Sequence, residues 1–74
     1  MKPVCLRVRL YACIAAAKQG TTIAAVLGDV RSRPEVTARR EVWRRLKADG
    51  FGVAAIGRMT NRDHSTIVHG LRAR

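Results

Sequence analysis

Glycines and capping residues cut this sequence into short segments of helical pattern, and that punctuation leaves little choice of fold. Gly20 ends the first segment, Gly28 the second and Asp49-Gly50 the third, where glycine commonly closes a helix. Thr21 or Thr22 can cap a short helix from Ile23 to Leu27. Ser32 or Arg33 precedes Pro34, and proline favours the first helical position, so a third helix is expected from Pro34 to about Ala48. Val36, Trp43 and Leu46, with Val42 beside them, fall at helical spacing there, and Arg40, Arg44, Arg45 and Lys47 occupy the remaining surface. Val53 to about Met59 reads as a fourth helix and Thr60-Asn61 as a turn. Asn61 or Asp63 can cap a fifth helix through about Arg72, with Ile67, Val68 and Leu71 as its buried stripe. One segment competes: from Val4 to Leu10 apolar residues alternate with Cys5, Arg7 and Arg9, which alone favours a strand. A single strand would have no partner, so a helix from about Val4 to Lys18 is preferred. The expected fold is one all-α domain over residues 1–74, with about five helices and with residues 1–3 and 73–74 fraying.

Charge then narrows the function. The 74 residues hold 15 Lys and Arg against 5 Asp and Glu, a formal net charge of +10. A chain this small has no room for an ATPase domain, a Rossmann unit or a multi-domain enzyme. No segment approaches the roughly 18–20 uninterrupted apolar residues of a membrane span. Leu10 to Ala17 is short and lacks a convincing cleavage site, so no signal peptide is read there. Such an excess of positive charge calls for a polyanionic partner, and nucleic acid fits best.

Cys5 and Cys13 are too few for a disulfide scaffold, and eight residues of helix set them roughly 12 Å apart. With His64 and His69 as the only histidines, a four-ligand zinc site is not expected. Both cysteines read as small buried apolar residues in a reducing compartment, the cytoplasm. No metal and no cofactor are expected.

The start of the last helix carries the chemistry. Asp63, His64 and Ser65 in a row suggest a hydrolase, but consecutive helical residues point about 100° apart and cannot form a nucleophile–base–orienter chain. No enzymatic activity is expected. For a helix entering the major groove by its N-terminus the same row makes sense. Asp63 can accept from cytosine N4, Thr66 can pack against a thymine methyl, and Ser65 can serve as a hydroxyl. His64 lies three residues before Ile67 and seven before Leu71, so spacing leaves it either packed on the core stripe or projecting to bases. Arg62 suits guanine or phosphate, and His69 a phosphate. Arg31 and Arg33 on a basic turn suit a narrow minor groove. Arg39, Arg40, Arg44, Arg45 and Lys47 should divide between phosphate contacts and solvent. Twelve arginines against three lysines tilt the surface toward phosphate recognition.

Ile56-Gly57 followed by Arg62-Asp63-His64-Ser65-Thr66-Ile67-Val68-His69 resembles the signature of the C-terminal DNA-binding domain (domain IV) of the bacterial replication initiator DnaA. Upstream, Pro34-Glu35-Val36, the Arg39-Arg40 pair and Leu46 look like that family's long helix after a basic loop. The similarity covers residues 22–71 and is most specific from 56 to 69. It implies a Trp-repressor-like fold with a helix-turn-helix at about 53–72 and binding to a nine-base-pair DnaA box. By resemblance Asp63, His64, Ser65 and Thr66 contact bases in the major groove, and Arg31 or Arg33 reads the minor groove. Arg62 and His69 would, by the same resemblance, support phosphate contact; Arg40 and Lys47 are expected to contact phosphate from the basic surface of the long helix alone.

The sequence departs from the family in the segments between Leu46 and Ile56 and between Gly57 and Arg62, both shorter here. Val53-Ala54-Ala55 stands where Leu-Pro-Glu is usual. No G-x-x-x-x-G-K-[ST] occurs, so no nucleotide is expected to bind. The chain therefore reads as a DnaA-like DNA-binding module of bacterial or phage type, nucleoid-associated, regulating transcription or replication at box-like sites. The rival is a protein-interaction adaptor whose basic surface docks an acidic replication or transcription protein. Apolar residues in 4–17 also leave room for a homodimer. A membrane-active basic helix fits poorly with so many caps and breakers.

Overall fold

The structure, a computed structural model, describes residues 6–72. Five helices follow in order: α1 Leu6–Gln19, α2 Ile23–Leu27, α3 Arg33–Ala48, α4 Val53–Thr60 and α5 His64–Arg72. No strand occurs among the described residues, so the alternation at Val4 to Leu10 is resolved as helix from Leu6 onward. The expected start at Val4, the fraying of 1–3 and 73–74, and the burial of Cys5 fall outside the described residues. No described helix is long and apolar enough to cross a membrane.

The central element is α3. Ser32 is its N-cap and Pro34 sits in its first turn, where the missing proline N–H costs nothing. Antiparallel to it runs α1, and three side-chain ties fix the direction. Arg7 pairs with Asp49 at 3.1 Å, Lys18 with Glu41 at 3.2 Å, and the Thr21 hydroxyl donates to Glu35. The seam between them is apolar: Val8, Ala12, Ala15 and Ala16 from α1 meet a core that holds Ala38, Val42 and Leu46. Small alanines at that spacing let the helix axes approach closely.

Two expectations about these helices need correcting. Cys13 is exposed, not buried. It follows Ala12 by one residue, a turn of about 100°, and so leaves the buried stripe for the outer face that also carries Leu6 (84% exposed) and Leu10 (58%). On α3, Val36 is only half-buried, while Glu35 and Arg39 are buried at 8% exposure each. Burying these two charges is tolerable because both are hydrogen-bonded, Glu35 to Thr21 and Arg39 to three carbonyls of α2 and its C-terminus.

A short helix such as α2 could not stand alone. Thr22 caps it, accepting from the Ala25 N–H at 3.1 Å. Its other end is held by Arg39, whose Nε donates to Val26 O at 2.7 Å and whose Nη2 donates to Ala25 O at 2.8 Å and Gly28 O at 2.7 Å. These are the carbonyls a helix C-terminus leaves unpaired, and a guanidinium there also answers the helix dipole.

Candidate nucleic-acid interface

The pair α4 and α5 is joined by only three residues, Asn61, Arg62 and Asp63. Asn61 adopts the left-handed conformation (φ 55°, ψ 47°) and closes α4, a role asparagine tolerates better than most residues. The Arg62 N–H then donates back to Gly57 O at 2.8 Å, folding the turn onto the helix it leaves. That closeness explains the glycine: a Cβ at position 57 would lie 2.7 Å from Arg62 O. Of the two residues considered as cap for α5, Asn61 belongs to the end of α4. Asp63 directly precedes α5, and its carbonyl accepts the Ile67 N–H at 3.2 Å.

Behind this pair, Ile56 and Ile67 are fully buried and anchor both helices in the core. The edge of the Trp43 ring lies where a Cβ on residue 70 would be, so Gly70 lets α5 rest directly on the indole of α3. In front, Asp63, His64, Ser65 and Thr66 are all exposed, with the Asp63 and His64 side chains 71% and 70% open. His64 is thus not packed on the core stripe: it projects from the helix start, its Nδ1 lying 3.6 Å from Asp63 Oδ1.

The first turns of α5 divide between two concavities. Asp63, Thr66 and His69, at successive spacings of three, line an open cleft of about 600 Å³ with Arg31, Arg40 and Arg62. His64 lies on the other side with Ala54 and Arg58 of α4, and Asn61, Arg62 and Asp63 are shared by both. Ser65 lines neither concavity and Arg33 stands exposed outside the cleft. Lys47 is exposed two turns beyond Arg40, about 10 Å farther along α3.

Two arginines sit differently from expectation. Arg39, assigned to phosphate or solvent, is turned inward to the carbonyls of α2. Arg62 is also turned toward the protein: Nη1 pairs with Asp29 Oδ1 at 2.8 Å and Nη2 donates to Gly28 O, leaving its side chain 22% exposed. Two residues with no assigned role now belong to the surface. Arg58 is exposed beside the turn, and its signal was being the sole charge in the Val53–Thr60 segment. Asp29 was detectable as the lone acid of the basic loop.

Acidic side chains are nearly all consumed by internal ties. Arg62 holds the Asp29 carboxyl below its ordinary pKa. The Tyr11 hydroxyl and then Arg7 do the same for Asp49. Burial works against ionisation of Glu41, but Lys18 and Arg45 outweigh it and its pKa is also lowered. Carboxyl pKa values lower in the folded chain than in the unfolded one add stability that is fully present above about pH 4 and is lost as pH falls through the folded values. The melting temperature should therefore hold between about pH 7 and 5 and fall below about pH 4. A thermal melt at about pH 2.5 matching the neutral one would contradict these ties.

Among the described residues no group of three His, Cys, Asp or Glu is placed to hold a metal ion. No protein-family model matches the sequence, and neither a curated protein nor a solved structure matches it.

Proposed function

We propose that this chain binds double-stranded DNA sequence-specifically, in the manner of the DnaA C-terminal domain, with α5 in the major groove and the loop before α3 in the minor groove. One observation carries the reading: Asp63 to Thr66 are exposed together at the start of a helix, beside a cleft that also holds Arg31, Arg40 and His69. A net charge of +10 supplies the sequence-independent attraction to phosphates. Asp63 is the cleft's only acid, and on a polyanion it is tolerable where it accepts a base amino group such as cytosine N4. Arg31, which shares the cleft with α5, suits the minor groove better than Arg33. Arg40, His69, Lys47 and the exposed Arg58 supply the phosphate contacts. In this reading the chain is a small nucleoid-associated regulator of transcription or replication at DnaA-box-like sites, without catalysis.

The test is fluorescence anisotropy with a labelled nine-base-pair DnaA-box duplex and a scrambled duplex, near 150 mM salt. The box should bind at least about tenfold more tightly, within the range by which specific binding exceeds non-specific binding. Asp63→Ala or His64→Ala should cost about 1–3 kcal/mol on the box and relax specificity there. Equal, steeply salt-dependent binding to both duplexes would remove the box as target. No binding to either would favour the adaptor, a reading supported by the exposed Leu6 and Leu10 on α1.

A further inference from the structure

The loop that carries Arg31 and the turn that carries Asp63 come from distant parts of the chain, yet one residue joins them. Arg62 Nη1 pairs with Asp29 at 2.8 Å, and its Nη2 reaches Gly28 O, the same carbonyl that receives Arg39 Nη2 at 2.7 Å. The contact spans 33 residues of sequence. Asp29 lies two residues before Arg31, and Arg62 immediately precedes Asp63. Gly28 O is thus gripped from one side by the long helix and from the other by the helix–helix turn. Apart from this pair the loop has little to hold it: Asp29, Val30, Arg31 and Ser32 are all exposed.

We propose that Asp29 and Arg62 form a clamp that fixes the distance between the minor-groove loop and the recognition helix, so that Arg62 is a positioning residue and not a phosphate contact. The inference rests on the DNA-binding reading, since the clamp matters for function only if loop and helix engage one duplex. Its physical basis is preorganisation: a loop already held in the bound geometry loses less conformational freedom when it docks. A flexible loop would leave phosphate attraction intact but would blur the register between the two grooves.

The clamp makes a prediction opposite to simple electrostatics. Asp29→Ala removes a negative charge from a DNA-binding surface, and on charge alone should tighten binding to every duplex. The clamp requires the reverse on the specific site. Wild type, Asp29→Ala, Arg62→Ala and the double variant are titrated with box and scrambled duplexes across a salt series. Asp29→Ala should weaken box binding about fivefold and scrambled binding not at all, with the double variant no weaker than either single one, as for residues acting as a unit. In the free protein, the backbone order parameter of Val30 and Arg31 should drop from about 0.85 toward 0.6 or lower in Asp29→Ala.

Tighter binding of Asp29→Ala to both duplexes would overturn the proposal. So would an Arg62→Ala variant that weakens both duplexes alike and lowers the salt slope by about one, the mark of a lost phosphate contact. Because the Asp29 side chain is 93% exposed, Asp29→Ala keeps the fold and carries the test even if Arg62→Ala does not fold. If the wild type fails to prefer the box, the DNA reading falls by itself. The order parameters then decide the clamp alone, with unchanged values in Asp29→Ala refuting it.

Discussion

Replacing Arg39 with methionine should lower the folding free energy by about 3 kcal/mol, because buried acceptors left without donors cost roughly 1–3 kcal/mol each and some will recover water. Arg39 is 8% exposed and serves three carbonyls, of which those of Ala25 and Val26 would lose their donor while Gly28 O keeps Arg62. Methionine keeps much of the apolar stem, so the loss isolates the guanidinium. For a domain of this size the corresponding fall in melting temperature is about 12–24 °C. Arg39→Lys should recover little, since a single ammonium cannot reach three carbonyls spread over four residues as a planar fork does. Burial and the nearby Arg62 lower the Arg39 pKa, but the side chain still enters as a cation at neutral pH. A melting temperature within about 4 °C of wild type for Arg39→Met would show that α2 does not depend on this side chain.

Gly70→Ala should be the second costly change, and its sign is the informative part. In a helix interior alanine is ordinarily better than glycine by about 1 kcal/mol. Here the added methyl would lie 2.2 Å from Cζ3 and 2.4 Å from Cε3 of Trp43, a ring that is itself 6% exposed and packed in the core. Overpacking of this kind costs about 1–3 kcal/mol, and the rigid indole places the expected loss near the upper end of that range. Denaturant unfolding of Gly70→Ala, Trp43→Leu and the double variant would separate clash from cavity. Trp43→Leu opens space, so the double variant should lose clearly less than the sum of the two single losses. A stabilised Gly70→Ala would mean that α5 can move off the ring at no cost.

Much of the architecture was legible because the sequence marks its own boundaries. Gly20, Gly28 and Asp49-Gly50 stop helices where the structure stops them, and Pro34 sets the start of α3 to within one residue. The turn at Asn61 was visible as well, although its side of the junction was not, since asparagine can open a helix or close one. Pattern failed where a single side chain crosses between elements. Arg39 stands beside Arg40 on a basic helix and nothing in the composition separates them; only the arrival of α2 over that face turns the Arg39 guanidinium onto its carbonyls and leaves Arg40 half-buried. The same holds for Arg62, whose partner Asp29 lies on a loop far away in sequence. Cys13 was misplaced for a different reason: an alanine-rich helix offers two apolar faces, and composition does not say which one meets α3. The exposed row from Asp63 to Thr66 was legible because a helix start needs no distant partner to present its first turn.

The lengths of the helices have a consequence for how the chain comes apart. At 5, 8 and 9 residues, α2, α4 and α5 are shorter than helices that persist alone in water, and each packs against the 16-residue α3. None of these three short helices can survive the loss of its dock, and α3 loses its buried face when the others leave. Opening of the packed helices among the described residues is therefore a single event. With 15 lysines and arginines, almost any exposed stretch is a trypsin substrate. Cleavage within the helices then reports the global folding equilibrium where reclosing outpaces cutting, and a variant that loosens α2 hastens cleavage in α5 as much as beside the mutation; cleavage after Arg31, on the exposed loop, needs no such opening.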